Sequence, residues 1–184
     1  MGKMSSMGKN LHHPLGYKIE EEDDSVTIAE EPLQHYISNC ATQPVLAWRV
    51  LGGKAFTPHV PDSAFSFYQA GVDGIPKSSV ASLATVLKVP MTDMADLLNV
   101  SYKTLGRKAN NDLLDGWISS HSIEIAQTVA RGLSLFENEA KLNRWLHKPN
   151  KALKGKIPFE MFKYPTGIKL VNQLMGRIEE GIYT

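Results

Sequence analysis

Two stretches decide the fold: Asn138-Glu139-Ala140-Lys141-Leu142-Asn143-Arg144-Trp145-Leu146-His147-Lys148-Pro149-Asn150, and Thr166-Gly167-Ile168-Lys169-Leu170-Val171-Asn172-Gln173-Leu174-Met175-Gly176-Arg177-Ile178-Glu179-Glu180-Gly181-Ile182-Tyr183-Thr184. In the first, Leu142, Trp145 and Leu146 recur at helical spacing, Asn138 is suited to cap the start, and Pro149 forbids continuation. In the second, Ile168, Val171, Leu174, Met175 and Ile178 follow one another at three- and four-residue steps. Thr166 is expected to cap that helix and Gly181 to end it. Trp145 and Leu146 are expected in the core, because Trp at helical spacing usually packs inward. Ile182 and Tyr183 lie beyond the last helix and are expected at an interface. The lysines between the two helices, Lys148, Lys151, Lys154 and Lys156, read as a solvated basic loop.

Helical periodicity continues upstream. Leu113 to Phe136 reads as the longest helix, with Ile118, Ser122, Ile125, Val129 and Phe136 on one stripe and Ala126, Ala130 and Leu133 beside it. Val80, Leu83, Ala84 and Leu87 share a face of a helix starting near Ser78, and shorter helices are expected over Val45 to Leu51, Ser63 to Gln69 and Leu33 to Ile37. No strand-type alternation of useful length interrupts this pattern, so the expected fold is all-α.

The segment Thr92 to Leu105 has the arrangement of a helix-turn-helix. A turn that brings two helices nearly to a right angle needs a small residue where they touch and one tolerant of positive φ after the first helix. Ala95 and Asn99 answer those needs, with Thr92 capping the first helix, Ser101 capping the second, and Val100 and Leu105 facing inward. Ser101, Tyr102, Lys103, Thr104, Arg107 and Lys108 are left on or near the outer side, where they suit DNA phosphates and base edges.

Of the 184 residues 42% are hydrophobic, enough to bury a core, and the net charge of +1 gives no bulk attraction to nucleic acid. That near-neutral total conceals an uneven distribution, because Glu20-Glu21-Glu22-Asp23-Asp24, Glu30 and Glu31 load the front with negative charge. The front lacks periodicity and reads as a mostly flexible arm. Residues 1–44 are therefore expected to be that arm, 45–112 a helix-turn-helix and dimerisation domain, and 113–184 a second helical domain. No apolar stretch is long enough to span a bilayer, and the start lacks the apolar segment of a secretion signal, so a cytoplasmic location is expected.

Chemistry is sparse. The single Cys40 excludes an internal disulfide and a cysteine-based metal cluster; His12 and His13 sit in the polar arm, and His35, His59, His121 and His147 stand apart from one another and from any Cys or carboxylate at ligand spacing. Glu179 and Glu180 adjoin on a helix and point apart, which is poor for a paired acid and base. Gly52-Gly53-Lys54 lacks the rest of a phosphate loop. No catalytic residue, metal site or cofactor is expected.

The second half resembles the toxin-binding domain of the Xre/MbcA/ParS antitoxins. The residues that carry the resemblance are Trp145-Leu146, Pro149-Asn150, Ala152-Leu153-Lys154-Gly155, Pro158, Arg177-Ile178-Glu179 and Gly181-Ile182-Tyr183. Gly74-Ile75-Pro76, the helix to Leu87 and Val100-Ser101-x-x-Thr104-Leu105-x-Arg107 resemble the Xre-like half of the same antitoxins. The resemblance implies a homodimeric antitoxin, in a larger complex with its toxin, that also represses its own operon by binding operator DNA. It further implies a RES-domain partner that degrades NAD⁺ or transfers ADP-ribose from it, blocked at its active-site entrance by the antitoxin's C-terminal end. Arg177, Glu180, Gly181, Ile182, Tyr183 and Thr184 are the toxin contacts this implies. The alternatives are a DNA-binding repressor whose C-terminal half only dimerises and, much further off, an enzyme.

Overall fold

The computed structural model describes residues 32–39 and 41–182; the acidic run, Cys40, Tyr183 and Thr184 lie outside the described residues. Its elements in chain order are α1 (Leu33–Ser38), α2 (Gln43–Val50), α3 (Ala64–Asp73), α4 (Lys77–Leu87), α5 (Met91–Leu97), α6 (Tyr102–Gly106), α7 (Gly116–Phe136), α8 (Glu139–Leu146), α9 (Pro158–Met161) and α10 (Pro165–Glu179). Short 3₁₀ turns stand at Gly53–Ala55 and Lys151–Leu153. The fold is all-helical as expected, and the only bridges among the described residues are the isolated pairs Pro76 with Leu113 and Asn150 with Lys156.

The longest helix, α7, is the axis of the packing. The helices α2 and α3 pack along it, and α8 and α10 pack against its later turns. Its sequence permits this because Ile118, Ile123, Ile125, Ala126, Val129, Ala130 and Leu133 are buried, on a band wider than one stripe. Polar residues inside that band bond to backbone. The hydroxyls of Ser122 and Thr128 donate to the carbonyls of Ile118 and Glu124, and Ser119 Oγ accepts from the Ile75 N–H at 3.0 Å. Buried hydroxyls satisfied this way avoid the desolvation cost of an unpaired group. Helix α7 starts at Gly116, later than the periodicity suggested. Asp115 caps it through the Ile118 N–H at 3.0 Å, and the residues before it bond to the chain entering α4, with Leu114 N–H on Ile75 O.

Two further caps differ from expectation. Thr92 does not cap α5, which begins after Pro90, and its hydroxyl bonds Asp93 instead. Thr166 does not cap α10, because Pro165 occupies the first position and Tyr164 the cap. A proline at the first helical position fixes φ where an N–H has no intrahelical acceptor anyway, so it sets the start more strongly than a nearby threonine. The expected caps at Ser101 and Asn138 are present, through the N–H groups of Thr104 and Lys141 at 3.0 Å each. Helix α3 runs on to Asp73, past the expected end at Gln69.

One continuous core joins the early and late helices, and α8 also ties to α4 through polar contacts. The last carbonyls of α4 have no intrahelical N–H, and α8 supplies donors: Asn143 Nδ2 to Val86 O at 2.8 Å and His147 Nε2 to Leu87 O at 3.1 Å. Leu142 and Leu146 beside them are buried, while Trp145 is half-buried against Phe136 with ring centroids 5.4 Å apart. Replacing Asn143 by Ala leaves the Val86 carbonyl without that donor and should cost about 1–3 kcal/mol of unfolding free energy. Urea titration checks this, and an unchanged midpoint would show that the contact contributes nothing.

Candidate functional site

The C-terminal end is built by α10 and what holds it. Its last turn closes in a Schellman arrangement: the Gly181 N–H donates to Ile178 O at 3.0 Å and the Ile182 N–H to Arg177 O at 2.8 Å. Gly181 adopts φ +72, which costs a side-chain-bearing residue strain and costs glycine little, as its place after the helix predicted. Ile182 is 49% exposed, and Arg177 and Glu180 lie exposed on the last turn. Arg177, Glu180, Gly181 and Ile182 thus cluster at one end of α10, while Tyr183 and Thr184 lie outside the described residues.

The direction of that end is set by Arg131, a residue the sequence reading missed. From α7 its guanidinium grips Glu179 with Nε on Oε1 at 3.0 Å and Nη2 on Oε2 at 2.6 Å, and its Nη1 donates to Asn172 O at 3.0 Å. A planar fork meeting a carboxylate on both arms fixes orientation as well as distance. The next turn back adds a bond from Asn172 Nδ2 to Thr128 Oγ1 at 2.7 Å. A Cβ on Gly176 would come within 3.1 Å of Arg131 Nη2, so the glycine of the Gly-Arg-Ile-Glu run makes room for the clamp. The Arg131 hydrogen bond holds the Glu179 carboxyl below its ordinary value, against the opposing effect of burial, and the guanidinium's own pKa is raised by the same bond.

At the other expected site, α5 ends with Asn99 at φ 53, and the Asn99 and Val100 N–H groups close back on Asp96 O and Ala95 O. The second helix, α6, is five residues long. Leu105 is buried beneath it, while Tyr102, Lys103, Thr104 and Arg107 are exposed, Arg107 just past its end. Ser101 is exposed too, with its hydroxyl bonded to the Thr104 N–H and hydroxyl. Lys108 is half-buried and its ammonium donates to Leu113 O at 2.9 Å. Four of the six are therefore exposed on or just after α6, while Ser101, also exposed, serves as its cap and Lys108 is tied to backbone.

The turn after α5 is joined to the C-terminal half. Lys163 Nζ lies 2.7 Å from Asp96 Oδ1, the Asn99 amide donates to Lys163 O at 3.3 Å, and buried His121 bonds Phe162 O at 2.9 Å. A carbonyl only accepts, so His121 Nε2 carries the proton there. These partners are 41 to 67 residues apart in sequence, beyond the reach of periodicity arguments.

Among the described residues no group of three or more His, Cys, Asp or Glu could hold a metal ion, and no helix is long and apolar enough to cross a membrane. Residues 131–181 match the family model described as Antitoxin Xre/MbcA/ParS C-terminal toxin-binding domain. The match begins at Arg131 and ends at Gly181, so it contains both partners of the clamp and the closing turn of α10. It covers less than a third of the chain and supports the role of an antitoxin in a toxin–antitoxin pair with a toxin as its partner. That domain family is not an enzyme family. No curated protein matches the chain.

The clamp carries a pH signature. Because the folded Glu179 carboxyl sits below its ordinary value near 4.5, its contribution is fully present above that value and is lost as pH falls through the depressed folded one. The pair is partly exposed, with side chains 28% and 37% accessible, so solvent screening limits it to about 1 kcal/mol or less. Glu179→Gln should lower stability by that amount at pH 7, and the gap to wild type should shrink at pH 3. Denaturant titrations at the two pH values check it, and a gap that is constant with pH would contradict the assignment.

Proposed function

We infer that this protein is the antitoxin of a type II pair, that it neutralises a RES-type toxin acting on NAD⁺, and that it represses its own operon. The observation that carries the toxin-binding part is the coincidence of the family match with the built C-terminal end. The matched segment supplies the clamp, the closing turn and an exposed apolar residue just beyond it. The chain continues from Ile182 through Tyr183 to Thr184. Tyr183 is the kind of rigid aromatic anchor that interface hot spots favour.

DNA binding is supported by the α5–α6 pair, with its left-handed Asn99 and the exposed Tyr102, Lys103, Thr104 and Arg107. Homodimerisation is supported by the outer face of α3, where Phe65, Tyr68 and Val72 are all more than half exposed.

Deleting residues 181–184 should leave thermal unfolding nearly unchanged and abolish protection of cellular NAD⁺ when the toxin of the neighbouring gene is co-expressed. Full protection by the truncated chain would refute blocking by the C-terminal end. Lys103→Ala and Arg107→Ala should each weaken operator binding and flatten its salt dependence by about one unit of slope, since each removes one phosphate neutralisation. Titration of labelled operator duplex at several salt concentrations is the measurement, and unchanged slopes in both variants would move the DNA contact elsewhere.

A further inference from the structure

Between Ala140 and Phe159 the chain carries Lys141, Arg144, Lys148, Lys151, Lys154 and Lys156 and no acidic residue. All six are exposed, and among the described residues none of them forms an ion pair. Lys141, Arg144 and Lys148 rim a groove of about 410 Å³ whose apolar lining includes Phe136 and Trp145. Six like charges crowded on one helix and the loop after it repel one another, so the face is suited to an anionic cover.

The chain itself carries a matching anion. Residues 1–31 contain seven Asp and Glu against three Lys, while residues 32–184 contain seventeen Lys and Arg against twelve Asp and Glu. Five of the seven acids are consecutive, Glu20 to Asp24. The described residues begin at Pro32, two positions before a contact with the chain entering α8. In α1 the Gln34 amide donates to Glu137 O at 3.4 Å, and Glu137 directly follows Phe136 of the groove. Asp24 precedes Pro32 by eight residues, which span at most about 28 Å when extended, against a length of about 12 Å for α8. Tethering at this length gives an effective concentration on the order of millimolar, which a separate polyanion has to exceed.

We propose that the acidic run Glu20–Asp24 docks on the basic face formed by α8 and the loop to Lys156 of the same chain, and shields it from other polyanions. Because the attraction is between exposed charges, it weakens as the Debye length shrinks from about 10 Å at 0.1 M salt to about 3 Å at 1 M.

The test is zero-length carbodiimide cross-linking of the full-length protein at low micromolar concentration in 50 mM salt, with ¹⁴N and ¹⁵N chains mixed. Mass spectrometry should find residues 20–24 joined to Lys141, Lys148, Lys151, Lys154 or Lys156 within one chain, and several-fold less of these links at 1 M salt. A variant with Glu20, Glu21 and Glu22 changed to Gln and Asp23 and Asp24 to Asn should acetylate faster at the same lysines than the parent. Links confined to other lysines, links only between chains, or equal acetylation rates would overturn the proposal. Equal rates that fall only on adding duplex DNA would assign the face to nucleic acid instead.

Discussion

The burial of α7 on most of its circumference is the constraint on which the other contacts depend. A helix apolar over so broad a band requires neighbours on opposite sides, and α2 and α3 supply one cover while α8 and α10 supply the other. Fully burying a Leu, Ile or Val is worth about 1.5–3 kcal/mol. The side chains of Ile125, Val129 and Leu133 therefore hold the two halves to a shared axis far more firmly than the exposed ion pairs could. The C-terminal helix α10 is positioned because its partner is itself immobilised. Arg131 leaves α7 one turn after Thr128, and its fork reaches Glu179 from a backbone fixed by that core.

The same packing joins the region of the family match to the helices before it. The carbonyl end of α4 takes its donors from α8, and the turn between α5 and α6 is held by Asp96 and Asn99 on Lys163. A force applied to α10 by a bound partner reaches the α9–α10 connection directly, and that connection touches the α5 turn. The helix pair carrying Lys103 and Arg107 is thus tied by the Asp96 and Asn99 contacts to the connection that leads into α10.

Much of this was legible in the residues. Leu142, Leu146, Ile168, Val171 and Met175 announced two helices because burial selects apolar side chains at the helical period, and their relation to one another needed no further information. Asn99 and Gly181 were legible as left-handed positions, since few residues tolerate that backbone. Thr92 and Thr166 misled because a threonine near a helix start is only one of the available starts: Pro90 already occupies the cap of α5, and Pro165 the first position of α10. Arg131 was invisible because its partner is 48 residues away, and an arginine on a helix ordinarily marks a solvated face. His147 was read as isolated for a similar reason: its acceptor is a carbonyl of α4, 60 residues earlier, which leaves no side-chain trace.

The central claim is that the few residues after α10 meet the toxin's active site while α10 is held by Arg131. The most direct measurement places a photo-reactive benzoylphenylalanine at position 182, irradiates the complex with the toxin of the neighbouring gene, and maps the linked peptides. The account predicts cross-links from position 182 to peptides lining the toxin's dinucleotide pocket, and none from the same group placed at position 68 on α3. Cross-links from position 68 with position 182 silent would mean that the toxin sits on α3 and that the C-terminal end has another use.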